Sequence, residues 1–149
     1  MTVRSNAVGV AIEDVLNMLR TPSVTTLATG GIVTAGDDLV VPGVLISYQD
    51  NQGGTAGNLN GEEMLGTVFL TVVAVTETGD LELADQIDRA VRKAILFSAG
   101  SPTRVNTKGE VYSCTFDSSR NYVGPGKNGS GSYQYYGGYY RIRVVGEEL

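Results

Sequence analysis

Two segments of the sequence carry apolar residues at the spacing of an amphipathic helix. The first begins at a cap formed by Ser5 or Asn6, runs to about Arg20 and is stopped by Pro22. The second covers residues 81–97. The buried stripes predicted by the helical period are Val8, Ile12, Val15, Leu16 and Leu19 in the first helix, and Leu83, Ala84, Ile87, Val91, Ala94 and Ile95 in the second. On the opposite side of the first helix we expect Glu13, Asp14 and Asn17.

Shorter segments alternate apolar and polar residues as β-strands do. The predicted strands are residues 44–48, 65–75, 110–117 and 138–145. Both sides of the 65–75 strand are apolar, which predicts a central strand covered on both faces. Residues 24–41 are β-like but interrupted by glycines, which indicates a hairpin or an irregular strand pair. Tyr112, Cys114 and Phe116 share one side of their strand, and Tyr140, Ile142 and Val144 lie opposite Tyr139, Arg141, Arg143 and Val145 on theirs.

Two long glycine-rich loops separate these elements. The first is the polar stretch of residues 49–63, and the second is a glycine- and tyrosine-rich segment, residues 124–138, here named the tyrosine arm. The elements follow the order helix, two to three strands, helix, two to three strands. This order predicts an α+β fold of one domain over residues 1–149, a mixed, mainly antiparallel β-sheet with two main α-helices packed on one face.

The composition narrows the chemistry available to the chain. Its 149 residues include 20 glycines, no histidine and a single cysteine, Cys114. Histidine-dependent triads, zinc fingers and intramolecular disulfides are therefore excluded. Without a histidine to act as its base, Cys114 is interpreted as a small core residue rather than a nucleophile. We expect no catalytic activity, no cofactor and no metal site.

Targeting signals are not recognisable in the sequence. The N-terminus lacks the basic and apolar regions of a signal peptide. The longest apolar stretch, residues 68–75, is far shorter than the roughly 20 residues that span a bilayer. We expect no membrane association and a cytoplasm-like compartment.

The tyrosine arm contains a motif with two interpretations. Residues 124–129 match G-x-G-x-x-G, but a β-leaning tyrosine run follows instead of a helix, which favours a flexible hairpin tip over dinucleotide binding. The tyrosines in and beside the arm are Tyr122, Tyr133, Tyr135, Tyr136, Tyr139 and Tyr140. Such rings can dock on a protein partner, extend the sheet of the same chain, or stack on nucleic acid or glycan. Docking on a partner is the favoured interpretation.

Charge is distributed unevenly along the chain. Residues 1–88 carry net −10 and residues 89–149 carry net +5, in a chain of net −5. The pairs Asp37–Asp38 and Glu62–Glu63 and the early acids of the second helix, Glu82, Asp85 and Asp88, are interpreted as solvated surface or caps rather than catalytic carboxylates. A monomer can mix the two charges in space. Opposite patches on one protomer also suit a head-to-tail contact, which closes into a ring when the rotation permits.

Four segments together resemble one protein family. They are the amphipathic opening helix, the strand VLISY after a proline turn, the strand GTVFLTVV at residues 66–73 and the helix LADQIDRAVRKAI at residues 83–95. In order and character they resemble the tail terminator (tail-completion) proteins of long-tailed bacteriophages. The resemblance implies an α/β sandwich and a homohexameric ring that caps the tail tube, stops its polymerisation and presents a surface to the head connector. It also implies a location in the virion tail or neck, after assembly in the host cytoplasm.

The resemblance further implies which surfaces meet partners. Residues 49–63 and the tyrosine arm would reach neighbouring subunits, the tail tube or, in a contractile tail, the sheath. DNA would pass through the lumen without specific binding, which an acidic protein suits because like charges repel. We expect the contact residues to include Arg89, Arg92, Lys93, Tyr133, Tyr135, Tyr136, Tyr139, Arg141, Arg143, Asp37, Asp38, Glu62 and Glu63.

Two alternatives stay open at this point. Within the same class, the chain could be another neck component, such as a head-completion or stopper protein. From a different class, a soluble module could use the tyrosine arm to hold a glycan or single-stranded nucleic acid.

Overall fold

The described part of the chain folds into three helices and six strands. The computed structural model describes residues 7–34, 38–53, 63–98, 100–126 and 131–147, with the backbone alone for residues 49–53, 63–65 and 146–147. The elements are α1 (Ala7–Leu19), α2 (Pro22–Thr25), β1 (Ile32–Thr34), β2 (Gly43–Gly53), β3 (Glu63–Glu77), α3 (Leu81–Ile95), β4 (Arg104–Asn106), β5 (Gly109–Pro125) and β6 (Ser132–Glu147). No described helix is long and apolar enough to cross a membrane.

The strands form one six-stranded sheet in the order β1-β2-β3-β6-β5-β4. β1 runs parallel to β2, and every other described pair is antiparallel. The predicted α+β class with a mixed, mainly antiparallel sheet is therefore confirmed. The helical layer differs from the predicted pair, because α2 adds a short third helix that begins at Pro22, a residue favoured in a first helical turn.

One face of the sheet forms the core with α1 and α3, and we call it the core face. Its central strands alternate as the sequence predicts. The buried side chains are Val68, Leu70, Val72 and Ala74 on β3 and Tyr140, Ile142 and Val144 on β6, packed with Val10, Ala11 and Val15 of α1 and Ala84, Ile87 and Val91 of α3. Removing these side chains from water is the main stabilising contribution to the fold.

The buried side of α1 differs from the prediction. Asp14, expected on the solvent side, is only 2 % exposed, whereas Ile12 and Leu16 are partly buried. The helix is rotated about its own axis relative to the prediction, which brings Asp14 to a buried partner, Arg104 of β4, at 2.9 Å. Burial raises the pKa of the Asp14 carboxyl, and the Arg104 charge opposes that rise.

Arg104 connects three elements beneath the sheet. Its guanidinium donates to Asp14 Oδ2 at 2.9 Å and to the carbonyl oxygen of Ile95, at the end of α3, at 2.8 Å. It also lies over the Phe97 ring, 4.0 Å from the ring centroid. One side chain on β4 therefore holds α1 and the end of α3 in place.

Several predicted loops and strands are corrected by the structure. The hairpin or irregular strand pair predicted for residues 24–41 is wrong, because Pro22–Thr25 is helical and β1 pairs in parallel with β2 through Ile32 and Val44. The loop predicted for residues 49–63 is shorter, since residues 49–53 belong to β2 and Glu63 begins β3. Residues 54–62 lie outside the described part.

The tyrosine arm is also mostly strand. Gly124 and Pro125 end β5, and residues 132–138 begin β6, paired from Tyr122–Tyr135 to Pro125–Ser132. The structure thus has the intrachain sheet extension where docking on a partner was favoured. Residues 127–130 lie outside the described part, so the predicted flexible tip is untested there.

The side of β5 on which residues near Tyr112 lie was predicted wrongly. A bulge between Val111 and Ser113 shifts the register of β5, so Val111 is buried together with Cys114 although the alternation put them on opposite sides. Tyr112 lies in the bulge, under the Arg143 guanidinium at 5.9 Å.

The buried Asp14–Arg104 pair generates a stability prediction. Arg104→Met leaves the Asp14 carboxylate buried without its partner and should lower the free energy of unfolding by about 3–5 kcal/mol. Combining Asp14→Leu with Arg104→Met removes both charges and should recover much of that loss. Urea denaturation of the two single variants and the double variant measures the coupling. Strictly additive losses would contradict the described pairing.

Candidate interaction surfaces

The face of the sheet opposite the core face has its own pattern of side chains, and we call it the outer face. The pairing of β3, β6 and β5 places there Phe69, Thr71, Val73, Val75 and Glu77 from β3, Tyr133, Tyr135, Tyr139, Arg141 and Arg143 from β6, and Glu110, Arg120 and Tyr122 from β5. Because successive residues of a strand point to opposite faces, this set is a consequence of the register that builds the core. No described helix buries residues against it.

Aromatic rings on the outer face stack in pairs across neighbouring strands. Phe69 and Tyr139 stack with centroids 5.3 Å apart, and Tyr122 and Tyr135 stack at 4.7 Å with an interplanar angle of 4°. The Tyr135 hydroxyl donates to the carbonyl oxygen of Pro125 at 3.0 Å. These rings are engaged with one another, which stiffens the β5–β6 hairpin.

Part of β3 is also buried on the outer face, by neighbouring side chains of the sheet and without a described helix over it. Val73 is 1 % exposed and lies between the stacked ring pairs, and Val75 is fully buried opposite Tyr135. Gly137 lies opposite Val73, and a Cβ at position 137 would be 2.9 Å from Val73 Cγ1. The valine side chain therefore occupies the space that a larger residue on β6 would need.

Three arginines lie on the outer face, which also carries the carboxylates of Glu77, opposite Tyr133, and Glu110, opposite Val145. Arg120 lies over the Tyr139 ring at 4.5 Å and donates to Ser118 Oγ at 2.8 Å. Arg141 and Arg143 are exposed and lie opposite Phe69 and Thr67 of β3. Within the described residues none of the three forms an ion pair with a carboxylate. Their charge is thus available to a partner.

The basic residues of α3 lie on the other side of the sheet and are used differently. Arg89 pairs with Asp85 at 2.9 Å. Arg92 pairs with the buried Asp88 at 3.0 Å and lies over the Phe116 ring at 4.1 Å. The basic residues expected to act together are therefore divided between two sides of the molecule. Lys93 is exposed on the helical side.

The tyrosines expected at contacts are divided in the same way. Tyr133, Tyr135 and Tyr139 belong to the outer face, whereas Tyr136 is in register with Ala74 of the core face. The Tyr136 hydroxyl donates to Asp85 Oδ1 at 3.1 Å, and this hydrogen bond is the main cause of the raised pKa of the tyrosine. Tyr136 thus joins β6 to α3.

The buried titratable groups have the surroundings of residues that stabilise the fold, not of catalytic residues. Burial raises the pKa of Asp88, with the neighbouring Arg92 opposing that rise, and it also raises the pKa of the Tyr140 hydroxyl. Burial raises the pKa of the Cys114 thiol to about 12, which leaves it protonated at neutral pH. Among the described residues no three cysteine, aspartate or glutamate side chains are grouped to hold a metal ion.

Acidic residues cluster at the turn between β3 and α3. Glu77, Asp80 and Glu82, which we call the acidic corner, are all exposed, and none has an ion pair within the described part. A hydrogen bond between the hydroxyls of Thr78 and Ser132, at 2.8 Å, fixes this turn to the start of β6. Of the three, the sequence pattern marked only Glu82, as an early acid of the second helix.

The acidic residues that the sequence predicted as contact residues indicate less about an interaction surface. Asp38 is exposed, and Glu63 lies opposite Glu147 in the β3–β6 ladder. Asp37 and Glu62 lie outside the described part.

An open groove lies on the solvent side of α1. It encloses about 400 Å³ and is lined by Gly9, Ile12, Glu13, Leu16, Asn17, Arg20 and Lys108. The groove follows from the rotation of α1 that buries Asp14, because this rotation leaves Ile12 and Leu16 partly exposed in the wall of the groove.

The close packing of β3 against β6 can be tested at Gly137. A Cβ there would lie 2.3 Å from the carbonyl oxygen of Val72 and 2.6 Å from Val73 Cα, so Gly137→Ala should force the strands apart. We expect a loss of about 1–3 kcal/mol in the free energy of unfolding, measured in urea.

Gly9→Ala on α1 is the matched control for this substitution. Its Cβ meets only the side chain of Lys108, at 3.3 Å. It should be neutral or stabilising by up to about 1 kcal/mol because alanine favours helix. A Gly137→Ala variant as stable as the unmodified protein would show that the described packing is wrong.

Comparison with known proteins identifies a similar fold. No family model and no curated protein sequence matches the chain. A chain of the "Virion of native gene transfer agent (GTA) particle" is similar in structure, with a TM-score of 0.60 and 18 % sequence identity. The similarity covers 93 % of this chain and 97 % of that chain. The described elements therefore form a fold that is also present in a virion.

Proposed function

We propose that this chain is a structural protein of a phage-like virion and acts without catalysis. The observation that carries the proposal is the similarity in fold, over nearly the whole of both chains, to a component of a gene transfer agent virion. Because both chains are covered almost completely, the shared unit is the whole fold rather than one common motif.

The distribution of polar groups supports a protein that works through its surfaces. Its buried charges, Asp14 with Arg104 and Asp88 with Arg92, join helices to the sheet or brace a helix. Exposed charges without an ion pair include Arg141 and Arg143 on the outer face and the three carboxylates of the acidic corner. Exposed charge without a partner inside the chain is typical of surfaces that select and orient another molecule.

We infer more specifically a tail terminator, a homohexameric ring that caps the finished tail tube. The resemblance in sequence supports this specific role, and the fold shared with a virion component supports the broader class of virion structural proteins. In this role the ring stops tube polymerisation, offers a surface to the head connector and, in a contractile tail, meets the sheath, while DNA passes through its lumen. The neck stopper or head-completion role is the alternative within the same class.

The proposed role predicts assembly in solution and binding to tube ends. Mass photometry at low salt should give a species of six copies, and negative-stain electron microscopy should show a ring. Added to polymerising tail tube protein, the chain should stop tube growth and label one end of each tube. Portal rings serve as the control, since binding to them instead of tubes would indicate a stopper. A monomer that leaves tube growth unchanged would refute the proposal.

A further inference from the structure

We propose that the outer face is a docking surface for a second copy of this chain, and that the acidic corner of that copy is the part that docks. The contact joins Arg120, Arg141 and Arg143 of one protomer to Glu77, Asp80 and Glu82 of the next. It deepens the proposed function and rests on it for the ring that such contacts would close.

The first support is that both surfaces lack ion-pair partners within the described chain. The described ion pairs involve Arg89, Arg92 and Arg104, and none involves an arginine of the outer face or a carboxylate of the acidic corner. A carboxylate in the first turn of a helix suits the helix dipole, which accounts for Glu82. It does not account for Glu77, which ends a strand, or for Asp80, whose side chain caps no backbone group.

The second support is the distance between the two surfaces on one protomer. Arg143 is paired with Thr67 and Arg141 with Phe69, so roughly 33 and 26 Å along β3 separate them from Glu77. Arg120 is nearer: it is level with Val73, roughly 13 Å along the strands and two strands across from Glu77. Screening in physiological salt reduces such interactions beyond about 8 Å. The two charges therefore cannot neutralise each other within a protomer, and a second copy brings both of them to a partner.

The third support is the rigidity of the two surfaces. The outer face is braced by the Phe69–Tyr139 and Tyr122–Tyr135 stacks, and the corner is fixed to β6 by the Thr78–Ser132 hydrogen bond. Because the strands and the turn that carry these charges are already fixed, only the exposed arginine and carboxylate side chains have to be ordered on docking. Nucleic acid is the competing occupant of an arginine- and tyrosine-bearing face. It would leave the acidic corner without a partner and would meet a chain of net charge −5.

The test uses two charge reversals in the full chain. One variant carries Arg141→Glu with Arg143→Glu, and the other carries Glu77→Lys with Asp80→Lys. Each should weaken self-association at least roughly tenfold, because like charges now meet at the contact. An equimolar mixture of the two should assemble again, since each reversed surface finds its complement on the other variant. Mass photometry and sedimentation at low and high salt measure these species.

A matched control places the same change of charge elsewhere. Arg20→Glu with Lys93→Glu alters the net charge by as much as the arginine variant does, but both residues lie on the helical side. This control should assemble like the unmodified protein. Circular dichroism verifies that each variant is folded, and recovery of assembly in the mixture verifies it independently.

The possible outcomes separate this contact from the proposed ring. If the unmodified protein forms dimers, and these are lost in both variants and restored in the mixture, the contact is supported and the ring is refuted. Rings that persist in either variant would refute the contact and leave the ring. An unmodified protein that stays monomeric at low salt would overturn the contact. The contact would also be overturned if the arginine variant no longer bound a labelled single-stranded or duplex oligonucleotide while its self-association stayed unchanged.

Discussion

Antiparallel pairing of β3 with β6 decides which side chains meet the helices and which face away from them. The ladder runs from Glu63–Glu147 to Glu77–Tyr133. Leu70–Tyr140 lies in the core, whereas the next pair, Phe69–Arg141, lies on the outer face. Sliding the register by one residue would exchange the two faces and bury Arg141 and Arg143 among apolar side chains. Because burying unpaired guanidinium groups is costly, the register that builds the core also displays the arginines.

The arginines of the chain fall into two physical classes. Arg92 and Arg104 each combine a buried carboxylate with the face of an aromatic ring, so their charge is satisfied inside the fold. Arg141 and Arg143 are exposed, with neutral neighbours across both adjacent strands. The first class holds helices against the sheet. The second class leaves a charge to be met by another molecule, which is why a role in assembly follows from the outer face rather than from α3.

Elements with a strong local period could be predicted from the sequence. The stripe of α3 and the alternation of β3 and β6 are fixed by residues a few positions apart, so local reasoning found them. The buried side of α1 could not be found in this way, because the burial of Asp14 depends on Arg104, 90 positions away in the chain. The bulge at Tyr112 similarly depends on the partner strand. The glycines of the tyrosine arm suggested a long loop with a hairpin tip, whereas its residues mostly extend β5 and β6, and the Tyr122–Tyr135 stack braces that extension.

The candidate surfaces were predicted only in part. Arg141, Arg143, Tyr135 and Tyr139 were selected from their alternation, but their separation from Arg89 and Arg92 needed the sheet between them. The acidic corner as a whole was missed because its three carboxylates follow a strand end, a turn and a helix start. Nothing local marks them as one surface, and their lack of partners is visible only in three dimensions.

Electron cryomicroscopy of the protein bound at the end of a tail tube tests the central claim most directly. The expected result is a ring in which the outer face of each copy contacts the acidic corner of its neighbour. A single bound copy, or a ring in which Arg141 and Arg143 face solvent, would contradict it.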